Sequence, residues 1–181
     1  MKLQDIGKLK HKDIINSPDT PIAWVLFWVT VILILSVMVS NVFGNTKIRM
    51  IRPFDDSIYQ VVISGRFGAP RNQTMGGTAY EHTGIDYKLE KGTNLRASYD
   101  GVVIFAEDSE TGYGNLVKID HGNGIVTYYA HLLRPDVKEG QTVKQGELIG
   151  KVGNSGRSYG YHCHFEVRVN GKSVHPAEFI F

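Results

Sequence analysis

The stretch Tyr161-His162-Cys163-His164-Phe165-Glu166-Val167-Arg168-Val169 alternates between polar and apolar side chains. Period two is the pattern of a strand with one apolar and one polar face. His162, His164, Glu166 and Arg168 therefore share a face, and Cys163, Phe165, Val167 and Val169 share the other. Short apolar runs separated by glycines precede it, among them Val61 to Ile63, Gly101 to Phe105, Leu116 to Ile119, Ile125 to Tyr129 and Leu148 to Val152. They predict an all-β domain over residues 61–181, built as a two-sheet antiparallel β-sandwich of the barrel-sandwich-hybrid kind. His121-Gly122-Asn123-Gly124 lies between two such runs and reads as a hairpin turn, because Asn-Gly accepts positive φ readily.

The N-terminal part has a different pattern. Ile22 to Val39 carries no charge, and with Ser40 to Phe43 it reaches the roughly 20 residues needed to cross a bilayer. Trp24 and Trp28 lie near one end, where interfacial aromatics sit. The polar lead-in through Thr20 is long, the apolar run exceeds a usual signal-peptide core of about 7–15 residues, and no A-x-A-like cleavage site follows. The expected order is a cytoplasmic tail (1–20), a transmembrane signal anchor (21–43), a short tether (44–60) and the β domain. The tether shows no sustained period and no heptads, so it is not a coiled-coil stalk. Lys2, Lys8, Lys10 and Lys12 before the segment are nearly balanced by Lys47, Arg49 and Arg52 after it, so charge leaves the orientation open.

The chain has 181 residues, enough for one ordinary domain and an appendage. A net charge of +2, with no basic run interleaved with aromatics, gives no sign of a nucleic-acid partner. Cys163 is the single cysteine, so no intrachain disulfide forms. By the alternation it faces the apolar side, as a small core residue and not a metal ligand.

The chemistry gathers on His82-Thr83-Gly84-Ile85-Asp86, on Tyr128-Tyr129-Ala130-His131-Leu132 and on the His162 strand. A hydrolytic zinc site needs three imidazole or carboxylate ligands and one open position. His82, Asp86 and one of the strand histidines fill that requirement. Gly84 and the β-branched Thr83 and Ile85 make the H-x-x-x-D segment a loop entering a strand, so its ligands converge through tertiary structure and not along a helix. Glu166, two residues past His164 on the same face, is placed to orient an imidazole. The glycine-rich 153–160 segment lacks the G-K-[ST] ending of a phosphate loop. It reads as a wall of a substrate groove whose glycines admit an extended peptide, with Tyr113, Tyr128 and Tyr159 as candidate groove aromatics.

H-x-x-x-D, then Y-A-H-L, then G-R-S-x-G-x-H-x-H-F-E resembles the lysostaphin/LytM family of zinc metalloendopeptidases, which cut peptide cross-bridges of bacterial peptidoglycan. The likeness runs from about Ile63 to Pro176 and includes Gly65-Arg66-Phe67-Gly68 and Gly112-Tyr113-Gly114-Asn115. It implies that His82, Asp86 and His164 are Zn2+ ligands and that His131 and His162 flank the metal as catalytic histidines. Which of the two acts as base stays open. Cys163 and Tyr161 depart from the aliphatic residue and the proline common at those places. The run Val137 to Gly150 also resembles lipoyl and biotinyl carriers, but no lysine in it sits on a hairpin between hydrophobic or methionine neighbours. The resemblance implies a domain outside the cytoplasmic membrane, with the N-terminus inside, acting on a peptide stem or cross-bridge. The short tether suggests a membrane-bound cell-envelope assembly. Members that have lost ligands and only activate other wall hydrolases set the alternative reading; all five positions are present here.

Overall fold

The computed structural model describes residues 21–43, 48–58, 60–71, 80–109 and 112–181; the expected cytoplasmic tail lies outside them. Two compact units result, 1–47 and 48–181.

In the first, helix α1 spans Pro21–Phe43. Ten large apolar side chains between Trp24 and Leu35 are exposed. Two of its described polar side chains bond within the helix: the Thr30 hydroxyl donates to the Phe27 carbonyl (2.7 Å) and that of Ser36 to Leu33 (2.8 Å). Among the described residues no helix is long and apolar enough to cross a membrane.

The second unit is mostly β. Its strands are β1 (Ile63–Gly65), β2 (Pro70–Arg71), β3 (Tyr80–Glu81), β4 (Ile85–Lys88), β5 (Asn94–Arg96) and β6 (Gly101–Ser109), followed by β7 (Gly114–Asp120), β8 (Ile125–Pro135), β9 (Thr142–Val143), β10 (Leu148–Val152), β11 (His162–Val169) and β12 (Lys172–Val174). Every strand pairing is antiparallel. The two separate sheets expected of a sandwich are not what forms. Ten strands make one hydrogen-bonded network, ordered β1-β4-β11-β8-β7-β6-β9 with β10 joining β5 to β8 and β12 beside β11, while β2 and β3 make a small hairpin. The reason lies in β8, which pairs with β11 over Ile125 to Ala130 and with β10 over Leu132 to Pro135. At the change of partner His131 adopts φ +61°, a left-handed conformation costing a non-glycine residue about 1–2 kcal/mol, and β7 shifts register opposite it. A bulge there marks where β8 leaves β11 and takes β10 as its partner.

The core contains Tyr129, Phe165, Leu95, Ile119, Leu132 and Ile149, all fully buried, with the Tyr129 and Phe165 rings 5.4 Å apart. Cys163 and Val167 lie in the same core, as their alternation requires; burial pushes the Cys163 thiol up. The opposite face of β11 is buried at its centre, at His164 and Glu166, and half-buried at His162 and Arg168. The His121 turn forms as expected, its imidazole held between the Asp100 carbonyl and the Thr127 hydroxyl, both at 2.7 Å.

The tether expectation needs correction over its second half. Met50 and Phe54 are buried in the core, the Met50 amide donates to Phe179 O (2.8 Å), and Arg96 N donates to Pro53 O (2.8 Å). Two large apolar side chains and backbone pairing at both chain ends incorporate residues from Ile48 onward into the β domain. No periodicity announced this, because the segment packs through isolated residues.

Candidate metal centre and its cleft

Strand pairing brings the ligands together. Asp86 on β4 lies directly opposite His164 on β11, and residues so paired have Cβ atoms about 4.5–5.5 Å apart. His82 reaches the same point from the turn before β4. That turn passes beneath β11 closely enough that a Cβ at position 84 would stand 2.4 Å from the Phe165 carbonyl and 2.9 Å from the His164 ring. Glycine is therefore required between the two ligands.

His82 Nε2, Asp86 Oδ1 and His164 Nδ1 form a triangle with edges of 3.0, 3.1 and 2.8 Å. All three residues are buried. Ring tautomers follow from the outer partners. His82 Nδ1 lies 2.8 Å from the Arg66 carbonyl, and His164 Nε2 lies 2.9 Å from Glu166 Oε1. A carbonyl and a carboxylate accept only, so with a cation between the three residues those outer nitrogens would keep their protons and the inward nitrogens would offer lone pairs. Two lone pairs and a carboxylate oxygen converging within about 3 Å form a donor set for a cation. The edges approach the roughly 3.3 Å separation of ligands around one tetrahedral ion at about 2.0–2.1 Å. The residues present fit a zinc-type ion.

Without an ion, burial pushes the Asp86 carboxyl up, but hydrogen bonds from His164 and His82 outweigh it and hold the group well below the usual range. Burial likewise opposes protonation of His164, yet its bonds to Asp86 and Glu166 prevail and raise its pKa. Glu166 Oε1 receives Tyr113 Oη (2.8 Å), Thr83 Oγ1 and the His164 ring, and Oε2 receives Arg168 Nε (2.7 Å). Burial would raise its pKa; these donors bring it to about 2. Its expected role in orienting an imidazole matches this contact with His164.

His131 and His162 stand beside the triangle. Their rings are 4.7 Å apart, His131 is 6.0 Å from the His164 ring, and His162 Nε2 is 3.8 Å from Asp86 Oδ1. Each has Nδ1 on a carbonyl, His131 on Ser155 (2.9 Å) and His162 on Gly160 (2.8 Å), which leaves Nε2 as the basic nitrogen. Burial, then the neighbouring His162, lowers the His131 pKa to about 4. All five residues line one cleft of about 1130 Å³.

Some expectations for the groove change. The 153–160 segment does wall the cleft, but Gly153 and Gly156 serve contacts within the chain, packing against the backbone of Leu132–Leu133 and of Gly114. Tyr113 lines the cleft with its hydroxyl engaged by Glu166 and Arg168. Tyr128 does not line it; its ring lies 4.3 Å from the Arg168 guanidinium. Tyr159, 90% exposed, stands at the rim with Tyr80 and Tyr161. Arg71 was missed altogether: its Nη2 sits 2.5 Å from Asp86 Oδ2. The only signal was its closeness to the Gly65-Arg66-Phe67-Gly68 run, because the contact joins the β2–β3 hairpin to the main sheet.

The profile of Peptidase family M23 matches residues 80–176. The DD-carboxypeptidase/endopeptidase Mpg of Neisseria meningitidis serogroup B is 53% identical over 95 residues, covering 52% of this chain and 22% of that protein. The murein hydrolase activator NlpD of Escherichia coli K12 is 38% identical over 108 residues, covering 60% and 28%. The chain thus matches about a quarter of the length of these relatives. A zinc-containing peptidase from Vibrio cholerae superposes with a TM-score of 0.62 at 33% identity, covering 70% of this chain and 39% of that one. The family match takes in just over half of the sequence and includes His82, Asp86, His131, His162 and His164, and on it the chain belongs to peptidase family M23.

Proposed function

We propose that this chain is a membrane-anchored zinc metalloendopeptidase that hydrolyses peptide cross-bridges of bacterial peptidoglycan. The observation that carries the reading is the converging lone-pair set of His82, Asp86 and His164 with two further imidazoles, His131 and His162, turned toward it. Similarity to the Neisseria DD-carboxypeptidase/endopeptidase supports the substrate, and similarity to the zinc-containing Vibrio peptidase supports the metal.

A zinc ion held by these three residues supplies a Lewis acid for the scissile carbonyl and acidifies water toward a pKa of about 7. The protein supplies the rest. Asp86, His82 and His164 are held in place by Arg71, the Arg66 carbonyl and Glu166. His131 is neutral at pH 7 and enters as a proton acceptor, not as a cation. His162, beside it, shares in delivering the proton to the leaving amine. The carbonyls of Ser155 and Gly160 hold both Nδ1 protons, so transfer runs through Nε2.

The exposed apolar surface of α1 and its internally bonded hydroxyls support burial in lipid, where every polar group must find a partner within the segment. In this reading the N-terminus is cytoplasmic and the peptidase domain is periplasmic or extracellular, within a cell-envelope assembly.

Similarity to NlpD favours a second reading, a module that activates other wall hydrolases without cutting. The two are separated by incubating the zinc-loaded full-length chain with purified cell wall. Release of peptide fragments that stops with chelator and returns with zinc supports the enzyme. Stoichiometric zinc without any release selects the activator.

A further inference from the structure

The cleft is unbalanced in charge. Its described lining includes Arg71, Lys88 and Arg157 and a single carboxylate, Asp86. Both oxygens of that carboxylate are engaged, Oδ1 by the two histidines and Oδ2 by Arg71. Lys88 and Arg157 are exposed, and among the described residues neither has a carboxylate partner.

Their positions are set by the same elements that build the centre. Lys88 lies two residues past Asp86 on β4, hence on the same face, and is the direct cross-strand partner of His162. Arg157 belongs to the loop that carries the Ser155 carbonyl holding His131; its amide donates to Gly112 O (2.8 Å), and its side chain lies over Gly112. Lys88 thus stands opposite His162, and Arg157 follows by two residues the carbonyl that holds His131.

We propose that Lys88 and Arg157 read free carboxylates on the peptide, so that the site takes cross-linked wall peptides bearing negative charge next to the scissile bond in preference to uncharged glycine bridges. This rests on the endopeptidase reading of the same cleft. An ammonium and a guanidinium lining a concave cleft attract anions and pair with carboxylates, the guanidinium through two parallel bonds. A neutral glycine chain leaves both cations without partners.

The test uses the zinc-loaded full-length chain and two synthetic peptide dimers with the same scissile amide, one with free carboxylates and one with these converted to primary amides. The carboxylate dimer is expected to be cut with a kcat/KM at least tenfold higher, and the ratio to shrink toward one as salt rises from about 0.05 to 0.5 M. The ratio collapses in Lys88→Gln/Arg157→Gln and is retained in Lys88→Arg/Arg157→Lys, with folding of each variant confirmed by its zinc content. Equal cleavage of both dimers by the unaltered chain overturns the proposal, as does a ratio undiminished in the glutamine variant. If neither dimer is cut, the endopeptidase reading fails, and calorimetry of their binding decides the charge proposal by itself: tighter binding of the carboxylate form that is lost in the glutamine variant supports it, and equal binding overturns it.

Discussion

Arg71 Nη2 lies 2.5 Å from Oδ2 of Asp86, while Oδ1 of the same carboxylate faces His82 and His164. The guanidinium thereby engages one oxygen and leaves the other facing the two imidazoles. The arrangement depends on Gly65, where a Cβ would stand 2.2 Å from Asp86 Oδ2 and 2.3 Å from Arg71 Nη2.

Arg71→Gln is accordingly expected to weaken zinc binding by about 10–100-fold, the usual effect of losing a partner that orients a ligand, with little change in thermal stability. Gly65→Ala forces the carboxylate itself to move and is expected to weaken binding more. Competition against a chelator of known affinity measures both; zinc affinity unchanged in Arg71→Gln refutes the orienting role.

His164→Ala and His131→Ala should fail differently. Removing His164 takes away a ligand, so zinc is lost first and activity with it. Removing His131 leaves the triangle intact, so zinc is retained while kcat falls by about 10²–10⁴-fold. Zinc analysis alongside turnover separates the two, and equal zinc loss in both variants contradicts the assignment.

Glu166 is fully buried and receives four donors, including the Arg168 guanidinium. Glu166→Ala strands that partly buried cation and is expected to cost about 3–5 kcal/mol, read as a lower urea midpoint. Glu166→Gln keeps the volume but removes the charge, and its clearest effect is expected on zinc affinity. A stable Glu166→Ala protein with normal zinc binding would remove this residue from the account.

The pH response of the metal-free chain carries the signature of His131. Its folded pKa, about 4, lies below the 6.5 of a free imidazole. Below 6.5 the unfolded chain takes up a proton that the folded chain refuses until about 4. This contribution therefore destabilises the fold as pH falls through that window, by up to about 3 kcal/mol, and is absent above it. His131→Gln should flatten the corresponding part of the stability profile; an identical slope in the variant contradicts the burial effect.

The membrane reading makes its own prediction. The full-length chain should sediment with membranes and resist alkaline wash, whereas residues 45–181 should be released. Recovery of the full-length chain in the soluble fraction excludes the anchor.

The all-β character, the hairpin at His121 and the two faces of the His162 strand were legible in the sequence because period two and glycine punctuation are local properties. The five residues that line the cleft could be singled out beforehand because the order of their motifs resembled a known family. Neighbours in space but not in sequence were invisible. Arg71 on Asp86, Tyr113 on Glu166, and Met50 in the core are each contacts between separate segments of the chain.

The sequence alone determined which residues could bind an ion and which faces of the strands they occupied, since side-chain alternation and donor chemistry travel with the residue. Only the tertiary structure decided that the sheet would be continuous, through the bulge at His131. It also decided which nitrogen of each imidazole would be left with a lone pair. Both outcomes depend on backbone carbonyls and buried carboxylates brought together from distant segments, and no local pattern encodes where those acceptors arrive.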